Sequence, residues 1–452
     1  MRDLTRGNPL KQLLLFSLPI LLGNLFQQLY SMVDTVIVGR YLGEHAMAAV
    51  GSTGSVQFFI LGFVQGTSSG FAIRTAQAFG AGDHTLVKRS VRACMILSIA
   101  LAVVMTALSV PFLNPLLRFM KTPDELLPDA VLYIQIICGG MFSTIFYNMI
   151  SAILRALGDS RTPLIFLIVS ALLNVVLDIV LIAFCGMGVE GAALATVIAQ
   201  VVSAALCLMY GLKHCPLLHT GSEKGKVSGA MLRDHLAVGV PMGLQFSVTA
   251  IGSMMLQSSF NSFGTESATA YAVACKVESL AQQPTIALGA TMATYAGQNL
   301  GARNYRRIRT GSRCAMALGV LYALVAAFIN VGIGERLMGL FFAGEMTQQV
   351  RDYAIEYLWI TTMFFLFLVA IHIFRSMLQG LGEKVAPMMG GVVELIARVG
   401  VCAVLPGIMG YTGACLAPCA AWLGAGLLTT IRYLYVENRW KKQGLMKECE
   451  AV

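Results

Sequence analysis

The sequence predicts an all-α polytopic membrane protein of twelve transmembrane helices, arranged as two six-helix bundles related by a pseudo-two-fold axis. Three observations carry this. Of the 452 residues, 57% are hydrophobic and only 12% charged, where soluble domains average about 25% charged. Mean hydropathy is +0.73, and apolar runs near the roughly 20 residues needed to cross a bilayer recur along the whole chain. The two halves also repeat each other. No polar stretch is long enough to form a separate catalytic domain, so an enzyme is not expected.

The spans are placed at about 13–38, 46–73, 91–117, 128–152, 162–184 and 189–210, then at about 236–260, 267–293, 312–334, 350–376, 386–407 and 411–436. With both termini on one side, about 25 of the 32 Lys and Arg fall on that side. They cluster at Arg2, Arg6 and Lys11; at Lys88, Arg89 and Arg92; at Lys224, Lys226 and Arg233; around Arg303 to Arg313; and at Arg439, Lys441 and Lys442. The positive-inside rule therefore makes both termini cytoplasmic. The net charge of +9 reads as topology and inner-leaflet contact. No basic patch is interleaved with aromatics, so nucleic acid is not an expected partner; the lipid bilayer is, and a monomer is expected.

Eleven cysteines lie mostly inside spans. Cys415 and Cys419 are one helical turn apart, but no second pair completes a metal-ligand spacing, so they read as small apolar packing residues. No metal and no other cofactor are expected. The first apolar run is too long for a cleavable signal.

The first span, LLLFSLPILLGNLFQQLYSMVDTVIV, should kink at Pro19, which removes a backbone hydrogen bond and crowds the preceding turn. Beyond it Gln27, Tyr30 and Asp34 share one face. This polar stripe either lines a path or packs against another polar helix. The second span is rich in Gly, Ser and Thr (GSTGSVQFF, then GTSSG), which suits close helix approach. In the fifth span Asn174 and Asp178 are i and i+4 and face the same way. A carboxylate at that depth costs roughly 3 kcal/mol or more unless neutral, paired or wet, so it marks an ion or substrate path or is satisfied by a neighbouring helix.

Residues 211–235 form the long polar stretch of the chain, with Pro, Gly, Ser and mixed charge. This gives an N-terminal bundle at 1–212, a cytoplasmic linker at 213–234, a C-terminal bundle at 235–437 and a cytoplasmic tail at 438–452. Leu18-Pro19 matches Val240-Pro241, QAFGAGD from Gln77 matches QNLGARN from Gln298, and ILRALGDSRTP from Ile153 matches MLQGLGEKVAP from Met377. Three matches in the same order, displaced by about 220 residues, argue for duplication. Six spans per copy make the copies parallel repeats, and a cleft between such halves is a usual substrate path.

Several charged residues of the second half stand inside spans. Glu278 reads as a cleft anion attracting a cationic substrate or as half of a structural ion pair; Lys276, two residues away, points elsewhere. Glu394 and Arg398 are i and i+4 and read as a structural or gating pair. His372 and Arg375 end the tenth span and are expected to snorkel to the cytoplasmic surface. The 24 Met and 23 Phe suit an adaptable apolar cleft and equally suit lipid-facing packing.

SMVDTVIVGRYLG, the repeated Q-x-x-G-A element, LRALGDSRTP, and NVVLD followed by GVEGAALAT together resemble the MATE family, multidrug and toxic compound extrusion, over essentially the whole chain. The resemblance implies a cell-membrane antiporter exporting organic cations or amphiphiles in exchange for H+ or Na+ by alternating access. It implies an ion site of Asp34, Asn174, Asp178 and Thr196 in the first bundle, a functional bend at Pro19, and a nearby tyrosine at Tyr133. Gln27, Tyr30, Tyr133 and Glu278 would then face substrate. Other members carry a carboxylate in the seventh helix; here that helix reads GVPMGLQFSVTAIG, and Arg398 and Cys402 stand where the second copy would repeat Asn174 and Asp178. Ion coupling is therefore expected in the first half alone. The competing reading is a lipid-linked saccharide flippase of the same superfamily, which would need a cationic groove; a receptor without transport fits the duplication poorly, and no G-x-x-x-x-G-K-[ST] loop supports ATP-driven pumping.

Helical rise gives a check on the site. At about 1.5 Å per residue, Asp178 lies about 21 Å from the cytoplasmic start of its span, and Thr196 about 10 Å from the outer end of its own. Asp34, about 30 Å along a bent helix, falls at a compatible depth. Two carboxyls, an amide and a hydroxyl make a hard oxygen site for Na+ or a shared proton.

Overall fold

The computed structural model describes residues 2–119, 122–219, 227–339, 341 and 346–446. Lys224 and Lys226 of the expected linker, and the end of the expected tail, lie outside the described residues. Among the described residues all regular structure is helical. Two compact units are present. Unit 1 comprises Met1–Asp3 with Leu18–Gly243, and unit 2 comprises Leu4–Ser17 with Leu244–Val452.

In the first repeat, α1 (Pro9–Ser52) contains Pro19 and breaks at Gly43, where φ is 89°. The second span was expected from residue 46; a separate helical segment follows the break at Gly43 and runs to Ser52, and α2, Gly54–Gly80, comes after Thr53. There follow α3 (His84–Phe119), α4 (Leu127–Gly139), α5 (Met141–Ala156), α6 (Arg161–Asp178) and α7 (Val189–His214). α4 and α5 form one span bent by 47°. A π-helical turn, Ile179–Phe184, extends α6 immediately after Asp178.

The second repeat has α8 (Gly229–Asn261), α9 (Thr265–Gly301), α10 (Tyr305–Ala327), α11 (Gly334–Gly339), α12 (Gln348–Met363), α13 (Phe365–Ala370), α14 (Ser376–Gly380), α15 (Val385–Met409) and α16 (Tyr411–Lys442). Among the described residues nine helices are long and apolar enough to cross a membrane, and the bent pairs Leu127–Gly139 with Met141–Ala156 and Gln348–Met363 with Phe365–Gly380 raise the number to eleven. The twelfth expected span is α9, which has the length at 37 residues but carries Glu266, Lys276 and Glu278. Apolar side chains such as Leu172, Phe328 and Ile408 are exposed, as lipid-facing residues must be.

The repeated sequence elements are turns with caps. Gly82 (φ 72°) and Arg303 (φ 55°) hold the same left-handed position in the two copies, and the next residue of each caps a helix. Asp83 Oδ1 accepts from Leu86 N at 2.8 Å and Asn304 Oδ1 from Arg307 N at 3.2 Å. Gly158 and Gly382 are likewise paired left-handed turns.

The division between units falls inside α1 and α8, not in residues 213–234 where the sequence placed it. Long-range bonds explain the difference. Leu4 N donates to Gln298 Oε1 at 3.0 Å, and Arg307 donates to the carbonyls of Leu4, Arg6 and Gly7 at 3.0, 2.7 and 2.6 Å. These bonds hold the chain start in unit 2. In unit 1, His235 bonds Ser90 at 2.8 Å, and Gly239 and Gly243 of α8 lie so close to Phe71 and Thr67 that a Cβ on either would overlap them. Unit 2 is centred on an aromatic cluster in which Phe260 stacks on Tyr271 at 4.2 Å with Tyr357 edge-on.

Two surface assignments are corrected. Arg375 does not snorkel: its NH1 donates to Glu394 Oε1 at 2.8 Å, with side chains only 13% and 6% exposed. His372 Nε2 is buried without a partner. The cause is the π-helical turn Ile371–Arg375 in a span bent by 54°, which rotates both side chains away from the direction a straight helix would give them.

Candidate functional site

Asp34 on α1, Asn174 and Asp178 on α6, and Thr196 on α7 come together inside unit 1. The polar stripe of α1 and the i, i+4 pair of α6 face each other across the first turns of α7. Asp178 is the last α-helical residue before the π turn and is fully buried. Asp34 is its electrostatic neighbour. With its amide turned to suit both neighbours, Asn174 donates to Asp178 Oδ2 at 2.8 Å and accepts from Thr196 N at 3.1 Å. Thr196 Oγ1 donates to Ala192 O at 3.1 Å and lies 3.5 Å from the Tyr30 hydroxyl. Asp34 Oδ1 and Asp178 Oδ1 are buried and accept no hydrogen bond. Two facing carboxyls of this kind hold a shared proton or a cation at lower energy than two bare charges.

A cavity of about 420 Å³ opens beside the cluster. Its wall includes Pro19, Gln27, Tyr30, Asp34, Tyr133 and Thr196. Asp34 and Thr196 are on that wall, and Asn174 and Asp178 are not. Tyr133 is buried and near Asp34.

Sequence reasoning missed the α5 face of this cavity. Thr144, Asn148, Ser151 and Arg155 all line it, as does Gln200 of α7. Their 4-3-4 spacing in TIFYNMISAILRALG was the available signal.

Glu278 lies in unit 2 and takes no part in this wall. It is buried, accepts from the Tyr357 hydroxyl at 2.8 Å through Oε2, and leaves Oε1 without a donor. Lys276 turns away onto the Phe341 ring at 5.1 Å. Arg398 is an electrostatic neighbour of Glu278 and also approaches Glu394 at 3.7 Å. The expected Glu394–Arg398 pair is thus the longer arm of a triad whose shorter arm is Arg375.

The profile of the MatE family matches this chain twice, at residues 19–180 and 241–404. The chain belongs to the MatE family. The two matched segments start and end with the displacement that the internal repeats show. Among relatives of this MatE chain, "Probable multidrug resistance protein YpnP" of Bacillus subtilis is 33% identical over 308 residues, 68% of either chain. "Probable multidrug resistance protein NorM" of Thermotoga maritima is 26% identical over 450 residues, covering 96% of this chain and 94% of its own. A solved structure described as "Outward-facing conformation of a multidrug resistance MATE family transporter of the MOP superfamily" superposes with a TM-score of 0.89 at 24% identity, over 97% of this chain and 98% of its own. "Crystal structure of MATE in complex with MaL6" gives 0.90. The fold is therefore the all-α, multi-span membrane fold that the sequence predicted.

Proposed function

We propose that this MatE chain is a secondary multidrug exporter of the cell membrane, with cytoplasmic termini, that moves amphiphilic organic cations in exchange for H+ or Na+ by alternating access. The observation that carries the reading is the Asp34–Asp178 pair at the edge of an amphipathic cavity. Family membership and the relatives named for multidrug resistance support transport of small molecules over catalysis. Asp34, Asn174, Asp178 and Thr196 hold the coupling ion. Asp34 is the one acid of the cluster on the cavity wall, so it senses both the ion and a cationic substrate, which compete for one negative charge. Ion binding alters the packing of α1, and Pro19, a weak point in that helix's hydrogen bonding, takes up the bend. Substrate loses its site and leaves. Gln27, Tyr30 and Tyr133 shape the cavity.

The flippase alternative requires several cations around a pyrophosphate. Among the wall residues Arg155 is the one cation, which favours the exporter. The test is efflux of a fluorescent cation from vesicles, with pH and Na+ gradients imposed separately. Export driven by one gradient and lost in Asp34→Asn and Asp178→Asn supports the reading; export that persists in both variants overturns it.

A further inference from the structure

The unit 1 cavity carries a cation that ion exchange does not use. Thr144, Asn148, Ser151 and Arg155 form a polar ladder on one face of α5, about 16 Å long at the usual helical rise. Arg155 stands at its end, with Ser160 and Pro163 beside it on the wall. Pro19 and Gly23 of α1 line the same end, where a Cβ on Gly23 would lie 3.5 Å from Leu167 and 3.7 Å from Leu164. Asp34 is about 22 Å further along α1 from Pro19. Among the described residues no carboxylate pairs with Arg155; its electrostatic neighbours are Tyr147 and Cys207. Asp159, close in sequence, instead caps α6 through Arg161 N, Thr162 N and Thr162 Oγ1.

The second repeat shows the same place filled. Arg155 corresponds to Gln379 within the matched ILRALGDSRTP and MLQGLGEKVAP elements, and Gly23 to Gln245, each four residues after its matched proline. In unit 2, Gln379 Nε2 donates to Gln245 Oε1 at 2.9 Å and both side chains are buried. In unit 1 the glycine removes the acceptor, and Arg155 lines the cavity. A guanidinium has five donors and no acceptor, and its planar fork matches an oxyanion.

We infer that Arg155 is an oxyanion subsite, taking the carboxylate or phosphate of an amphiphile whose apolar body lies along Leu61, Leu164 and Leu167 and whose cationic part lies toward Asp34. This rests on the exporter reading and adds to its cation site a separate place on the same cavity wall for an anionic group of the same molecule. The pair of probes is rhodamine 19, which has a free carboxylate, and its ethyl ester rhodamine 6G. Binding is followed by fluorescence polarisation to the full-length protein in phosphatidylcholine nanodiscs, against empty nanodiscs. The wild type binds rhodamine 19 about tenfold tighter than the ester. Arg155→Gln brings the ratio near one, and Arg155→Lys keeps a several-fold preference. Gly23→Gln, which installs the unit 2 partner where a Cβ has room, also removes the preference.

Dihexanoyl phosphatidic acid distinguishes the sources of the anion. Displacement of dye from the wild type but not from Arg155→Gln assigns the subsite to lipid phosphate, and failure to displace assigns it to the soluble carboxylate. A wild type without preference, or an Arg155→Gln protein that weakens both dyes equally, overturns the inference. If the preference stands while vesicles show no export, the exporter reading fails and the subsite does not.

Discussion

Gly140 sets the direction of the polar ladder, and its contact with α7 can be measured. It stands between α4 and α5 at φ −83° and ψ 7°, a conformation open to alanine, so Gly140→Ala adds no backbone strain. The added Cβ would meet Val197 Cγ2 at 2.4 Å and Cγ1 at 2.5 Å, about 1 Å inside normal contact. Overpacking of this kind costs about 1–3 kcal/mol, which lowers Tm by about 2–6 °C. Val197→Ala removes both clashing methyls and alone costs about 1 kcal/mol through the lost contacts. The double variant retains a single tight approach, Val197 Cβ at 3.1 Å, so it recovers most of the loss, with a coupling energy of about 1–3 kcal/mol. The assay is thermal unfolding of the four purified proteins, with dye export read in parallel because a displaced α5 misaims Asn148 and Ser151. Strictly additive losses in Tm would refute the reasoning, since they require the two side chains not to touch.

Three further outcomes are expected. Asp34→Asn and Asp178→Asn each abolish gradient-driven export while leaving the unfolding temperature within a few degrees, since volume is conserved. Arg375→Met removes the 2.8 Å partner of buried Glu394, leaving it Arg398 at 3.7 Å, and costs about 3–5 kcal/mol, more than Arg398→Met, which removes the longer contact; thermal unfolding gives the order. Arg307→Gln releases three carbonyls of residues 4–7, and hydrogen exchange of Leu4 to Asn8 should rise at least tenfold with little change in α9.

Much of this was legible because it is local or periodic. The duplication could be read because its anchors are turns, where left-handed residues and capping side chains leave few alternatives. The meeting of Asp34, Asn174, Asp178 and Thr196 followed from helical register and depth once the family resemblance had nominated them. Arg155 escaped because Thr144, Asn148 and Ser151 are dispersed among bulky apolar residues and each alone looks like a tolerated polar side chain. Arg375 was misread because the π turn that redirects it has no local sequence signature. The unit boundaries were misplaced because a polar linker marks where the chain is exposed, whereas membership of a unit is decided by contacts some 300 residues apart, as between Leu4 and Gln298.

That last pairing bears on biogenesis. Gln298, Asn299 and Arg307 are made almost 300 residues after Leu4, a delay of roughly 15–60 s at 5–20 residues per second. Residues 229–243 have no such delay, since Phe71, Thr67 and Ser90 already exist when they emerge. The first unit can therefore mature during translation, while residues 4–7 reach their partners only once that part of the second is made.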